Sequence, residues 1–365
     1  MEGEKLRILM INNTKEENPS YTMRNKIVAQ ALEKRGHTVM YKSLAFNLDY
    51  EDYDVFIFNR FYEGTLESYV NFLKEQGKVV IYETDDNYEA IDENNPYMKI
   101  KDFGVLSSRE LIKLAHGVTV STPELKAEIL RMFPGTKVFV IPNALNFEEY
   151  PVRKAGNEKL KVGFQGSNIH VQDLLLVLPA IKQLQSETPF DFEIFGIDDK
   201  SFEELNKFCL KYTNNPLNNH WKWMYDFPKM YEMLKDGIDY KHIPYVNYEQ
   251  YRTKLAEFNW DIGLAPLTDT RFNRSKSCLK FYEYAAVGTV TLASDVVPYN
   301  EEMEPEDLVK NRHSKWMVKL RRLLNDDAYR LERLKVQTAW VNENRNIDKV
   351  AEQWERTINF IKEDL

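Results

Sequence analysis

The chain predicts an α/β protein made of two doubly wound parallel domains, and three observations carry that reading. Short apolar runs alternate with amphipathic stretches along most of its length, as parallel strands covered by helices require. The alternation pauses over residues 143–159, where polar residues, Pro151 and Gly156 replace periodicity. Beyond Asp307 every segment reads as helix, so the C-terminus is helical. With 365 residues, 43% hydrophobic and 13% aromatic, the chain has material for two cores. The expected organisation is a first domain over 1–145, a linker over 146–159 and a second domain over 160–345. An insertion interrupts the second domain near 198–237, and a helix over 346–365 packs back toward the first domain.

The elements follow in order. Strands are expected at 6–11, 38–42, 55–59, 79–82, 118–121 and 138–141. Helices fill the gaps at 21–35, 65–75, 107–115 and 123–132, the last opened by Ser121 and Thr122 as caps. The second series begins with the strand LKVGFQG from Leu160. A helix over 171–184, a strand over 190–196, a strand over 240–243 and a helix over 248–258 follow. Residues 261–267 then form a strand, 275–286 a helix and 289–293 a strand, before helices at 314–324, 328–341 and 347–363. Repeats and low-complexity tracts are not apparent.

Composition narrows the function. A net charge of −8 with interspersed acids and bases leaves no basic arm or broad nucleic-acid footprint. Cys209 and Cys278 are too few for a disulfide framework and lack metal-site spacing, which points to simple burial in a reducing compartment. Without a run of about 18 apolar residues, no membrane span is expected. The expected location is the cytoplasm, and an amphipathic helix would suffice for peripheral membrane contact.

Two doubly wound domains place ligands at the carboxyl ends of their strands, so the loops there carry the candidates. The loop after the first strand, NNTKEENPSY, contains no glycine, which disfavours dinucleotide binding. It is long and polar, and Asn13 and Tyr21 are its candidates for contact with a second substrate. After the fourth strand come Asp85 and Asp86. Adjacent residues of an extended chain point to opposite sides, so one of the two is expected to face the ligand. That carboxylate would accept sugar hydroxyls, oppose positive charge at an anomeric carbon or help to bind a divalent ion. Asn143, where the chain crosses between domains, reads first as a turn residue. In the second domain Gly166, Ser167 and His170 form a loop able to donate to phosphate, while Tyr245 ends a strand near the ligand. Lys276, Lys280 and Glu283 fall on one stripe of the helix expected over 275–286. Ser277 and Lys276 at its start suit a diphosphate, and Glu283 suits ribose hydroxyls.

The segments IPNA, VGFQGSNIHVQDLLLVLPAI, DIGLAPL and FNRSKSCLKFYEYAAVGTVTLASDVVPY together resemble the nucleotide-sugar-dependent GT-B glycosyltransferases of the retaining group-1/group-4 type. ETDDNYE is similar to the acidic signature of a subgroup that also carries an N-R-S-K-S-like loop. The resemblance implies two Rossmann-like domains facing across a cleft, with the donor held by the second and the acceptor by the first. It implies transfer from a nucleoside diphosphate sugar without an obligatory metal cofactor, with the departing phosphate assisting front-side attack and no protein nucleophile. Glu283 matches the family's ribose-binding glutamate, and Asn273, Lys276, Ser277 and Lys280 fall in the donor loop. Three departures stand out. Ser275 replaces the family's first glutamate, the usual Arg and Lys pair is absent from Gln165 to Val171, and NEEMEPEDLVKN replaces a glycine-rich stretch after Tyr299.

The chemistry agrees with that pattern. Cleaving a sugar–phosphate bond builds negative charge on the diphosphate and positive charge on the sugar, so cations must face one and a carboxylate the other. A nucleotide-sugar epimerase and a non-catalytic sugar-nucleotide-binding subunit stay open as alternatives. So does the acceptor: a glycan, a lipid-linked sugar, a protein side chain or a modified nucleic-acid base.

Overall fold

The computed structural model describes residues 4–12, 19–43, 50–60, 66–91, 101–154, 156–198, 200–213 and 223–365. Asn13 lies outside them. The first sheet contains β1 (Arg7–Asn12), β2 (Thr38–Ser43), β3 (Val55–Asn59), β4 (Val79–Thr84), β5 (Gly117–Val120) and β6 (Val138–Val140), ordered β2-β1-β3-β4-β5-β6. The second contains β7 (Lys161–Gln165), β8 (Asp191–Phe195), β9 (Lys241–Ile243), β10 (Ile262–Ala265), β11 (Val290–Ser294) and β12 (Leu308–Val309), ordered β12-β11-β10-β7-β8-β9. Every pairing is parallel. Both faces are covered, which is why VFIFN in β3 and VTLAS in β11 are buried at every position.

The α/β reading holds for both halves. Strand β12 was missed because two residues are too few for periodicity to register. The helix expected over 21–35 is instead a turn at Pro19–Tyr21, a π-helical stretch at Thr22–Lys26 and an α-helix at Ile27–Lys34. Thr22, Met23, Arg24 and Asn25 of the π-helical stretch are all buried, so this segment is covered on every side. Residues 171–184 divide into Val171–Leu175 and Leu178–Glu187, the second carrying Pro179 in its first turn, where the ring fits. In the insertion, Phe202–Thr213 and Trp223–Lys235 are helices that bury Leu205, Cys209, Phe227 and Met230 in the second half's core.

The helix expected over 275–286 begins later. Arg271–Arg274 is one helical turn, 275–278 is irregular, and the helix proper is Leu279–Val287, closed by Gly288 at φ 83°. In a continuous helix the Ser275 carbonyl would accept from residue 279. It accepts instead from Thr122 Oγ1 of the first half at 2.9 Å.

The final helix, Ile347–Glu363, crosses back to the first half. Its Trp354 is fully buried beneath the Arg24 guanidinium, 5.4 Å from the ring centroid, and its Glu355 accepts from Arg35 at 2.5 Å. One apolar cluster therefore runs from Ile8 and Leu32 through Trp354 and Tyr150 to Tyr284. Among the described residues, no helix is long and apolar enough to cross a membrane.

Candidate active site

In both sheets the strand order reverses beside the first strand of the half, at β1/β3 and β7/β10. The carboxyl ends at those points face each other across a cavity of about 360 Å³. Asp85, Asp86, Gly166, Ser167, His170, Tyr245, Lys276, Ser277, Lys280 and Glu283 all line it.

Two described sequence candidates do not. Asn273 turns its amide to Thr268, donating to the carbonyl and to Oγ1, each at 2.9 Å, so it braces the loop that precedes Lys276. Tyr21 is buried edge-on against Tyr41, with ring centroids 5.8 Å apart, and is not on the cavity wall. Asn13 is outside the described residues.

On the second-half wall, Gly166 follows β7 and a Cβ there would sit 2.8 Å from the Cβ of His170, so a side chain would push the loop aside. His170 Nδ1 lies 2.7 Å from Asp173 Oδ2, and its Nε2 lies 3.4 Å from Lys280 Nζ. With Nδ1–H directed at the carboxylate, Nε2 accepts from the lysine. Burial and the neighbouring Lys280 push His170 down to about 3, which keeps the imidazole neutral. Burial acts to raise Asp173, and hydrogen bonding from His170 with the charge of Lys280 brings it below the ordinary range. Burial lowers Lys280 to about 8, against the pull of Asp173. Lys276 rests over the Phe272 ring at 4.8 Å.

Glu283 is 3% exposed and surrounded by donors. Tyr150 and Tyr248 donate to Oε1 at 3.4 and 3.2 Å, and Tyr251 and Gln165 donate to Oε2 at 2.7 and 3.1 Å. Burial pushes its carboxyl up to about 7 despite those four bonds. A carboxylate has about four lone-pair sites, so these four donors fill it.

On the first-half wall, the backbone bends after Thr84, whose Oγ1 donates to the Asp86 carbonyl at 3.1 Å. That bend overrides the extended-chain alternation, and both carboxylates reach one guanidinium. Asp85 Oδ1 is 3.2 Å from Arg60 Nε, and Asp86 forms an ion pair with the same arginine. Beneath them Glu83 is fully buried and accepts from Arg24 Nε at 2.7 Å. Burial, with Asp85 nearby, pushes Glu83 up to about 7.

The two walls are tied together. Asn87 donates to Ser275 Oγ at 3.1 Å, and Asn143 donates to Ser277 Oγ at 2.8 Å while accepting from Arg24 at 3.1 Å. Asn143 is thus a bridge between Arg24 and the Ser277 loop rather than only a turn residue. Arg60, Gln165, Tyr248 and Tyr251 were not among the sequence candidates. Arg60 carried a readable signal, since it follows VFIFN at a strand end, where such folds keep their ligand groups. The tyrosines had none, because their helix reads as ordinary amphipathic. Among the described residues, no group of three or more His, Cys, Asp or Glu is placed to hold a metal ion.

The architecture matches solved structures. A sucrose-phosphate synthase from Thermosynechococcus elongatus superposes with TM-score 0.68 at 13% identity, covering 98% of this chain and 100% of that one. The fold is GT-B. A second GT-B match is an alpha-glucosyltransferase solved with UDP and a 13-mer DNA containing an HMU base, at TM-score 0.64 and 11% identity over 98% of this chain and 100% of that one. HepE from Anabaena, solved with UDP, matches at TM-score 0.62 and 11% identity over 97% and 100%. No family model matches the chain, nor does any curated protein sequence.

Proposed function

We propose that the protein is a glycosyltransferase that moves a sugar from a nucleoside diphosphate sugar to an acceptor hydroxyl, with retention of anomeric configuration. The observation that carries this reading is the charge arrangement in the GT-B cleft. Lys276 and Lys280 with Ser277 line one wall, and Asp85 and Asp86 line the other.

The diphosphate would lie against Lys276, Ser277 and the Gly166–Ser167 loop, with Lys280 held behind by His170. The nucleoside would extend toward Tyr245, Tyr248 and Glu283. As the bond from the anomeric carbon to the diphosphate oxygen breaks, the lysines stabilise the leaving group and the carboxylate wall opposes the charge left on the sugar. The acceptor oxygen bonds to the same face of the carbon, and its proton passes to the departing phosphate. The acceptor would approach from the first half, past Ser20 and Arg60. A uridine diphosphate sugar is the first donor to test, because the HepE and alpha-glucosyltransferase structures were solved with UDP.

The experiment is calorimetry with a panel of nucleoside diphosphates and their sugars, followed by mass spectrometry of products from cell extracts. Donor binding with acceptor-dependent release of nucleoside diphosphate is the expected result. Failure to bind any member of the panel would end the proposal, and donor turnover without acceptor would redirect it to epimerisation.

A further inference from the structure

Arg60 is 6% exposed and stands where β3 ends. Its backbone has φ 46°, in the left-handed region that non-glycine residues rarely occupy. Such a conformation is strained and persists where surrounding contacts over-determine it. Those contacts converge on the guanidinium. Besides Asp85 and Asp86, Nη1 donates to Ser20 Oγ at 2.5 Å and Nε donates to Tyr88 Oη at 3.3 Å. Two adjacent carboxylates on one wall repel each other, and a guanidinium between them removes most of that repulsion.

We propose that Arg60 is a positioning residue whose strained backbone seats its guanidinium between Asp85 and Asp86 and holds both carboxylates in place opposite the lysines of the donor wall. The inference rests on the transferase reading for its catalytic meaning, but the clamp itself is a property of the fold. With two carboxylates and one guanidinium, the wall facing the sugar carries one net negative charge, the sign that the developing positive charge needs. Arg60 acts on the reaction through the aspartates.

Other charged groups bear on the pair. Glu83 lies two residues back on β4, with Arg24 paired to it, and Tyr88 follows in the next turn. Lys276, Lys280, His170 and Glu283 face it across the cavity. All of these are retained when Arg60 alone is changed, but the Arg60 charge also acts to lower Glu83, so recovery in the double variant with Asp86→Asn is what assigns a pH effect to the clamp.

The test has two arms. In the first, melting temperature is measured at pH 8 and pH 4 for wild type, Arg60→Gln, Asp86→Asn and the double variant. R60Q should lose about 5 °C or more at pH 8 and distinctly less at pH 4, where protonation of the carboxylates has begun. The double variant should regain part of the loss at pH 8. An equal loss at both pH values without recovery would mean that Arg60 only fills space, and would overturn the clamp whatever the enzyme's activity. In the second arm, R60Q should lower kcat about 100-fold with donor KM within about threefold, and the acid limb of its pH profile should move to higher pH. An unmoved acid limb, or a KM effect alone, would overturn the catalytic part. Absence of transfer by wild type would count against the transferase reading and leave the first arm to decide the clamp.

Discussion

The two walls of the cleft solve opposite electrostatic problems with different means. The second-half wall gathers cations and makes them available by neutral relays: His170 stays uncharged, accepts from Lys280 and is oriented by Asp173. The first-half wall gathers carboxylates and restrains them with arginines, Arg60 on the cavity wall and Arg24 below. A cation on a flexible stem can move to a phosphate, whereas carboxylates crowded on a strand end stay ionised only with a fixed partner. The contrast explains why the lysines came from sequence matching and the arginines from geometry.

The sharpest way to break the comparison is Lys276→Ala. Loss of a charged contact to the leaving group should lower kcat/KM by about 10²–10³ in a steady-state assay, more than any single change on the carboxylate wall. An equal or larger loss in Asp85→Asn would invert the assignment of roles.

Glu283→Gln tests whether the caged carboxyl belongs to the donor site or only to its support. Its folded pKa of about 7 lies above the ordinary 4.5, so the native state holds a proton that the unfolded chain has released. Its contribution to stability is therefore full below pH 4.5 and is lost as pH rises through about 7. The shift corresponds to roughly 3 kcal/mol. Urea unfolding at pH 5 and pH 8 should show this decline in wild type and a shallower one in the variant. Tyr251→Phe, which keeps the charge but removes one donor, should weaken nucleotide binding about tenfold by calorimetry, and unchanged affinity would place the cage outside the donor site.

Smaller effects belong to the ties between walls. Asn87→Ala should cost about 1 kcal/mol in urea unfolding and raise donor KM a few-fold, because Ser275 loses its partner. The smallest expected effect is that of a chelator. With Lys276 and Lys280 meeting the leaving-group charge, activity should persist in EDTA, and a metal-restorable loss would assign that charge to a divalent ion.

Much of the fold was legible because buried parallel strands read as continuous apolar runs: VFIFN and VVIY needed no partner to be recognised. The donor wall was partly legible for a related reason, since Lys276, Lys280 and Glu283 lie within eight residues and chain proximity keeps them together. What failed was whatever depended on distant partners. Helical spacing over 275–286 suggested one helix, and Thr122, more than 150 residues earlier, took the carbonyl that would have extended it. Alternation at Asp85 and Asp86 suggested opposite faces, and a bend with Arg60 brought them together.

By itself, then, the sequence determined the two-sheet α/β architecture and the local lysine–glutamate cluster, because hydrophobic period and short-range spacing act through neighbouring residues. Tertiary structure alone decided that Arg60 sits between two aspartates, that three tyrosines and Gln165 fill the lone pairs of Glu283, and that Asn87, Thr122 and Asn143 hold the serine loop. Those contacts are made by side chains on different elements, and their geometry exists only once both sheets have closed on the cleft.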